Sequence, residues 1–385
     1  MSWLVYRMTD SAFLLGAVGF AGQIPIFLLT PLAGVLADRM DRHRLLIMTQ
    51  TLAMLQAFTL ALLVLTGTVA IWQIISLGVF LGLVDALDMP VRQSFMVQVV
   101  EKQDLGNAIA LNSSIVNGAR LLGPSLAGIL IASVGEGVCF LLNGLSYLAV
   151  ILSLLAMKPI VRKMEKGNTR VLQRLREGFR YVSGFPPIRS VLLLLALVSL
   201  MGVPYQVLMP VFAKDILHGG PHTLGFLMGS AGIGALVGAI YLASRRSVVG
   251  LGRWIVLAAG VFGIGLIAFS LSRILWVSLI LMLLIGFGMM VQMASSNTVL
   301  QTVVDEDKRG RVMSFYAMAF RGMVPFGSLL AGGLASMIGA QNTLMIGGIS
   351  CILGSFLFAR QLPLLREILR PIYIKMGILQ EKGQE

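Results

Sequence analysis

Long apolar stretches recur along almost the whole chain and constrain its fold more than any other feature. An apolar helix of ~20 residues, rising about 1.5 Å per residue, crosses the ~30 Å hydrocarbon core of a bilayer. The 385 residues are only 12% charged, which is about half of what a soluble domain needs to cover its surface. We therefore expect an all-α polytopic membrane protein with about eleven spans. These spans lie at 13–36, 45–66, 69–91, 107–133, 138–157, 191–213, 223–243, 254–271, 274–297, 312–338 and 343–361.

Basic residues are shared very unequally between the loops on alternate sides of these spans. One set of loops and tails holds 25 Lys and Arg residues, and the other holds only Arg7, Lys214 and Arg273. The positive-inside rule places the first set in the cytoplasm and residues 1–10 outside. The net charge of +13 then reflects orientation in a cell membrane, and no nucleic-acid partner is expected because no soluble basic fold is available.

The chain also aligns with itself at one constant offset. Gly82 aligns with Gly286 and Gly123 aligns with Gly327, within a gapless match of the two halves. Parallel repeats joined by a cytoplasmic linker are the layout of two-bundle secondary transporters. The predicted segments are a transmembrane bundle at 1–157, a linker with a basic amphipathic helix at 158–189, a second bundle at 190–361 and a basic cytoplasmic tail at 362–385.

The alignment leaves the first span of the second half, 191–213, without a full partner. Its counterpart would begin before Met1, so that only the last few residues of it are present. We therefore expect a twelve-span protein that lacks most of its first span. The cause is either a truncation or a start site placed too late. An undisturbed half of five spans is the alternative.

A short, densely charged loop follows the first complete span. It reads Gly-Val-Leu-Ala-Asp-Arg-Met-Asp-Arg-His-Arg from Gly34 to Arg44. This run resembles the signature loop of the major facilitator superfamily, Gly-x-Leu-Ala-Asp-Arg-x-Gly-Arg-Arg, with Asp41 at the usual glycine. The resemblance implies the two-bundle, pseudo-symmetric fold of that superfamily. It also implies that Asp38 stabilises one conformational state together with Gly34, Arg39 and Arg42.

Two further runs carry a narrower resemblance. The stretch from Gly118 to Gly128 is similar to a fifth-helix motif of exporters, which implies a conformational role for Gly123 and Pro124. The run Asp-Ala-Leu-Asp-Met-Pro-Val-Arg-Gln from Asp85 resembles the branch that contains macrolide and siderophore exporters. The Arg-x-x-x-Gly motif of many proton antiporters is absent from the fourth helix, so their coupling mechanism is not carried over.

Charges inside spans are functional candidates, because burying them in lipid costs a few kcal/mol. Asp88 and Arg92 have the i,i+4 spacing of an ion pair, which serves either as a structural pair or as a cytoplasmic gate. Asp85 and Arg120 are the candidates for proton or substrate coupling, and a second reading pairs them as each other's counter-ion. Arg321 is shallower, and its side chain either snorkels to the cytoplasm or has a function.

Several uncharged polar residues in the spans are candidates for lining a central cavity, although such residues also serve as contacts between helices. These candidates are Gln23, Asn112, Asn117, Tyr205, Gln206, Gln292 and Asn297. His218 and His222 are close in sequence but are too few to indicate a metal site. No cofactor is expected, and the absence of a P-loop argues against ATP as the energy source.

These features predict a secondary active transporter and not an enzyme. The leading hypothesis is a proton-coupled exporter of amphipathic small molecules (drug, macrolide or siderophore-like) that works by alternating access as a monomer. The expected partners are a small-molecule substrate, protons and a bilayer with an anionic inner leaflet. The alternatives are a transporter of another class, such as a lysophospholipid or metabolite, and a truncated membrane protein without transport activity.

Overall fold

The computed structural model describes residues 1–37, 40–101, 103–157, 171–245 and 247–376. Throughout these ranges the regular elements are helices. The α-helices are α1 Ser2–Thr9, α2 Ala12–Ala37, α3 Arg42–Leu65, α4 Ile71–Val99, α5 Leu105–Ala156, α6 Val171–Gly184, α7 Pro186–Leu197, α8 Tyr205–Val211, α9 Pro221–Ala243, α10 Leu251–Leu271, α11 Leu275–Val303, α12 Glu306–Ala317, α13 Val324–Ile338 and α14 Ala340–Lys375. Three π-helical turns, Val198–Gly202, Phe212–Ile216 and Met318–Gly322, adjoin some of them.

Eleven membrane spans emerge from the described part of the chain, as the hydropathy predicts. Ten helical segments are long and apolar enough to cross a bilayer. One of them belongs to α5, whose 52 residues would extend ~78 Å, more than twice the hydrocarbon core. Gly135 breaks this helix at φ 82°, a conformation that glycine adopts without steric cost. The two parts of α5 are therefore separate spans, in line with the predicted division between 107–133 and 138–157.

Two compact units divide the chain. The first comprises Met1–Asn168 with Pro210–Phe226, and the second comprises Thr169–Met209 with Leu227–Glu385. Within the first unit, α3 packs against α4 and α5, while in the second unit α10 packs against α11 and α14. The predicted bundle boundaries at 157 and 190 stay a prediction, as does the loss of a first helix.

Glycine contacts show the repeat at the level of packing. A Cβ on Gly82 would collide with the backbone carbonyl of Gly22 in α2, and a Cβ on Gly286 would collide with that of Ala231 in α9. Gly82 and Gly286 are the pair that the sequence repeat aligns. Each unit therefore uses the same glycine to bring two helices into backbone contact, which is how small residues promote helix association in lipid.

The tertiary contacts join loops that the charge count places on the same side of the membrane. At the outer end, Arg7 forms an ion pair with Glu136 at 2.8 Å. At the inner, cytoplasmic end, His43 Nε2 lies 2.7 Å from the carbonyl oxygen of Leu154. Because a carbonyl only accepts, Nε2 is the donor. The packing thus pairs segments that the positive-inside rule places on the same side, and the orientation of the chain in the membrane stays a prediction.

Candidate functional site

A buried carboxylate lies near the inner end of the first unit, on α4. Asp88 is 6% exposed and accepts hydrogen bonds from three donors. Thr49 Oγ1 and Gln50 Nε2 donate to its Oδ1 at 2.8 and 2.7 Å, and Arg92 Nη2 donates to Oδ2 at 2.6 Å. Thr49 and Gln50 are buried, whereas 60% of the Arg92 side chain is exposed. The buried charge is therefore compensated by one cation that also reaches the surface.

The local sequence explains how this site is assembled. Asp88 and Arg92 lie one turn apart on α4, the spacing at which helical side chains meet. The structure thus contains the predicted pair, although α4 runs on to Val99 and Arg92 lies within the helix instead of in a loop. The sequence reading missed Thr49 and Gln50, because contacts between residues on different helices leave no periodic signal.

An apolar cluster holds α3, α4 and α5 together beside the carboxylate. Its buried members are Leu45, Leu46, Val91, Phe95 and Leu154. The His43 ring stacks on Phe95, with ring centroids 5.7 Å apart. Close van der Waals packing of side chains such as these favours helix association in a bilayer. The cluster therefore fixes the register in which α3 presents its two donors to Asp88.

Asp41 has a specific role in the charged loop. Its carboxylate accepts hydrogen bonds from the backbone N–H groups of His43 and Arg44, at 2.9 and 3.3 Å, and it is the N-cap of α3. The residue that departs from the family signature therefore starts the helix that carries Thr49 and Gln50. An acidic residue one or two positions before a helix is the signal that indicates such a cap.

Replacing Asp41 separates the capping role from the charge. Asp41→Ala is expected to lower the free energy of unfolding by ~1 kcal/mol, because two backbone donors lose their acceptor. Asp41→Asn keeps an acceptor oxygen and should remain close to the parent. Thermal unfolding of the purified proteins measures the difference. Equal destabilisation by both substitutions would show that the charge, including its 3.7 Å pair with Arg44, matters more than the cap.

Asp85 lies one turn before Asp88 and is half-buried. Among the described residues, none donates a hydrogen bond to its carboxylate. The side chain of Arg120, its predicted counter-ion, lies outside the part that the structure describes. The pairing of Asp85 with Arg120, and the coupling role of both, therefore stay predictions.

Only part of the signature loop lies within the residues that the structure describes. Gly34 lies in α2, and Arg42 is 6% exposed in the first turn of α3. Asp38 and Arg39 lie outside the described residues, so that the conformational role of this loop remains a prediction.

The fifth-helix motif makes its closest contact through residues other than those singled out from the sequence. A Cβ on Gly123 would have open space around it, whereas one on Gly128 would lie 2.7 Å from the Cα of Gly225 in α9. Ser125 Oγ donates to the Gly225 carbonyl at 3.2 Å. Pro124 lies inside α5. The motif thus brings α5 and the first turn of α9 into backbone contact.

The cavity candidates occupy different environments. Tyr205 is buried, and its ring packs edge-on against Phe262 at 6.2 Å. Gln292 is buried and its Nε2 has no hydrogen-bond partner among the described residues. Asn297 accepts a hydrogen bond from Gln301 at 3.0 Å. Gln23 is half-buried, and Gln206 and Asn112 are exposed. The side chain of Asn117 lies outside the described part, and a shared cavity remains a prediction.

Two of the π-helical turns face each other within the second unit, and the sequence reading missed both. The hydroxyl of Ser199 in Val198–Gly202 donates to the carbonyl oxygen of Phe320 in Met318–Gly322 at 2.6 Å. Arg321 lies in the second of these turns. Such turns interrupt the regular ladder and are frequent at functional sites.

A family model described as "Transmembrane secretion effector" matches residues 1–368. The chain belongs to this family of major facilitator superfamily transporters. This membership makes the chain a multi-pass protein of the cell membrane that carries small molecules. It agrees with the fold expected from the loop signature.

Relatives of similar length are named as transporters, and solved transporters share the fold. The staphyloferrin A transporter of Staphylococcus aureus is 28% identical over 359 residues, which cover 93% of this chain and 90% of the relative. The multidrug efflux pump Tap of Mycolicibacterium fortuitum is 24% identical, in a match that covers 95% of this chain and 91% of the pump. The nucleoside transporter NupG has a similar fold, with a TM-score of 0.70 at 14% identity over 94% and 93% of the two chains. A bacterial homologue of the iron transporter ferroportin, in an inward-facing state, has a TM-score of 0.69 and is 18% identical. The match covers 94% of this chain and 92% of that chain.

Proposed function

We propose that this secretion-effector protein is a proton-driven exporter of amphipathic small molecules that works by alternating access. The observation that carries the proposal is the pair of acidic residues on α4. Asp88 has three described donors, one of which is the cation Arg92, whereas Asp85, one turn away, has no described donor. Ionisable residues inside a span are costly and mark transport pathways. The similarity to an efflux pump and a siderophore transporter supports a drug- or siderophore-like substrate.

The two carboxylates have different roles in this proposal. The carboxylate of Asp88 accepts hydrogen bonds from its three donors and forms an inner gate with Arg92. The exposed guanidinium of Arg92 separates from Asp88 when the inner end opens. Asp85 takes up and releases the proton, with Arg120 as its counter-ion or as a contact to an anionic substrate. The loop residues Gly34, Asp38, Arg39 and Arg42 and the α5 residues Gly123 and Pro124 contribute to the conformational change. The cavity candidates contact the substrate.

The helix of the linker supports a membrane-surface role. In α6, Gly178 packs against Phe315, and the Tyr181 ring lies 4.9 Å from Lys308 Nζ. These contacts attach one face of α6 to α12 and leave Arg180 exposed. We propose that Arg180 on this exposed side of α6 meets the anionic inner leaflet, an attraction worth ~1 kcal/mol for a Lys or Arg near the surface.

Accumulation of a fluorescent macrolide-like compound in cells tests the export proposal. Cells that express the protein should retain less compound than empty-vector cells, and a protonophore should remove the difference. Asp85→Asn is expected to reduce export at least roughly ten-fold. Glu101→Gln, an exposed carboxylate at the inner side, is the matched control and should change export by less than about two-fold. Equal retention by expressing and empty-vector cells would contradict export, and full activity of Asp85→Asn would contradict its proton role.

A further inference from the structure

Two of the four tryptophans occupy equivalent positions in the sequence repeat. Trp72 aligns with Trp276 at the offset that also aligns Gly82 with Gly286. Each tryptophan is the second residue of a long helix, Trp72 in α4 and Trp276 in α11. The charge count places the start of both helices at the outer side of the membrane. Each unit therefore carries a tryptophan at the same end of the same helix of the repeat.

Both side chains are exposed, unlike those of the other two tryptophans. Trp72 is 68% exposed and Trp276 is 75% exposed, and neither forms a hydrogen bond or a ring contact with another described residue. In contrast, Trp3 is buried, and the ring centroids of Trp254 and Tyr241 are 4.8 Å apart. Packing within the protein thus explains Trp3 and Trp254 but not the repeated pair.

Each tryptophan of the pair begins a stripe of exposed apolar side chains along its helix. In α4 the stripe continues with Phe80 and Leu83, and in α11 it continues with Ile280 and Leu284. These spacings follow the helical period, so that each set lies on one face. Phe80 and Leu284 are themselves aligned by the repeat. Because both helices are long and apolar enough to cross a bilayer, the two stripes are faces toward lipid.

The side of each helix opposite its tryptophan carries a buried polar residue. Asp88 follows Trp72 by the same interval as Gln292 follows Trp276. This interval corresponds to ~24 Å along a helix and to a rotation of about 160°. Asp88 is 6% exposed and Gln292 is 1% exposed. A tryptophan that faces lipid therefore keeps the polar residue of its helix turned into its own unit.

Side-chain hydrogen bonds order the start of both helices. The backbone N–H of Ala70 donates to Gln73 Oε1 at 2.8 Å, which satisfies a donor at the start of α4. The hydroxyl of Ser278, in the first turn of α11, donates to Ser272 Oγ at 2.9 Å. The exposed indoles thus belong to ordered first turns.

The chemistry of indole matches this position at the end of a span. Indole has a large apolar ring and one N–H donor, which needs an acceptor when the ring leaves water. At the membrane interface the ring contacts acyl chains while the N–H reaches ester or phosphate oxygens, and tryptophan is enriched there. Deeper in the hydrocarbon the N–H would have no acceptor.

We propose that Trp72 and Trp276 bind the headgroup region of outer-leaflet phospholipid, and that each anchors the outer end of its helix. The ligand is an ester or phosphate oxygen of a glycerophospholipid. The proposal is independent of the transported substrate, and only the choice of the outer leaflet rests on the predicted orientation. It also differs from the attraction proposed for Arg180, because indole carries no charge and its binding survives high salt.

Quenching of tryptophan fluorescence by brominated phospholipid tests the anchors directly. Proteins that keep only Trp72 or only Trp276, with phenylalanine in place of the other tryptophans, are reconstituted into phosphatidylcholine vesicles. The acyl chains carry bromine either near the ester or near the methyl end. Bromine near the ester should quench each protein at least about two-fold more than bromine near the methyl end, because the indole lies at the interface. High salt should leave this ratio unchanged.

A tryptophan moved along the same stripe is the matched control. Phe80→Trp or Leu284→Trp, in a protein without other tryptophans, places the indole ~12 Å farther along the helix. The preference between the two bromine positions should then reverse. A protein that keeps only Trp3, which is 8% exposed, should be quenched weakly by both lipids.

Weak quenching of Trp72 and Trp276 by both lipids would overturn the proposal and would indicate that a second copy of the chain covers the stripes. Stronger quenching by the deep bromine would overturn it as well. So would quenching by water-soluble iodide that exceeds quenching by lipid, since the indole would then lie in water. If the single-tryptophan proteins do not fold, the difference between the parental protein and Trp72→Phe or Trp276→Phe gives the same comparison, because each substitution removes one fluorophore.

Discussion

Asp88→Ala is expected to reduce export at least roughly ten-fold and to destabilise the protein by about 1–3 kcal/mol. The substitution leaves the buried Gln50 amide without its acceptor at the inner end of the first unit. Thr49 is less affected, because its hydroxyl also lies 3.0 Å from the Leu46 carbonyl. The Arg92 guanidinium loses its partner but reaches solvent. Most of the stability cost therefore falls on one orphaned amide.

Asp88→Asn separates the charge from the hydrogen bonds. It retains an oxygen for Thr49 and Gln50 but turns an amide nitrogen toward Arg92, so that two donors face each other. Export should fall as it does in Asp88→Ala, whereas the free energy of unfolding should fall less. Both variants are compared in the accumulation assay and by thermal unfolding, with Glu101→Gln as the control. Parental export by Asp88→Asn would show that the ion pair with Arg92 is structural and has no gating role.

Gly82→Ala is expected to cause a large loss of folded protein. The new Cβ would collide with the Gly22 carbonyl, and the backbone of α2 has no rotamer with which to move away. Overpacking costs about 1–3 kcal/mol even when side chains can adjust, so the effect here lies at or above that range. The yield of monodisperse protein and its unfolding temperature measure the effect.

Gly78→Ala is the matched control, because it lies one turn earlier on α4 and its Cβ would have no neighbour within 4 Å. Its effect should be within about 1 kcal/mol, the difference in helix propensity between Gly and Ala. Gly286→Ala should reproduce the Gly82 defect in the second unit, with Gly333→Ala as its harmless counterpart. Similar behaviour of Gly78→Ala and Gly82→Ala would contradict close packing of α2 on α4.

Most of the fold could be predicted from the lengths of the apolar stretches and the positions of glycines. The eleven spans, the interruption near Gly135 and the pairing of Gly82 with Gly286 all follow from features that lie within one helix or one repeat. Membership of the secretion-effector family agrees with the fold inferred from the Gly34–Arg44 run. The Asp88–Arg92 pair was also predictable, since both residues lie on one helix at i,i+4 spacing.

The remaining site residues could not be found in this way. Thr49 and Gln50 lie 39 and 38 positions from Asp88, and nothing in their own segment indicates that they face it. Asp41 was visible as a departure from the signature, but its capping role needed the start of α3. The contact of Tyr6 with Asp215 spans 209 positions, beyond any local pattern.

The sequence by itself determined the number and length of the spans and the repeat that relates the two halves, and it predicts their orientation. The physical reason is that a bilayer acts on each helix locally, through its apolar length and the charge of its flanking loops. Only the tertiary structure decided which polar side chains meet. It brought Asp88 to the donors of α3 and the first residues of the chain to Lys214 and Asp215. Such contacts depend on how helices pack and on where Pro210 and the π-helical turns interrupt them, and no single segment encodes that packing.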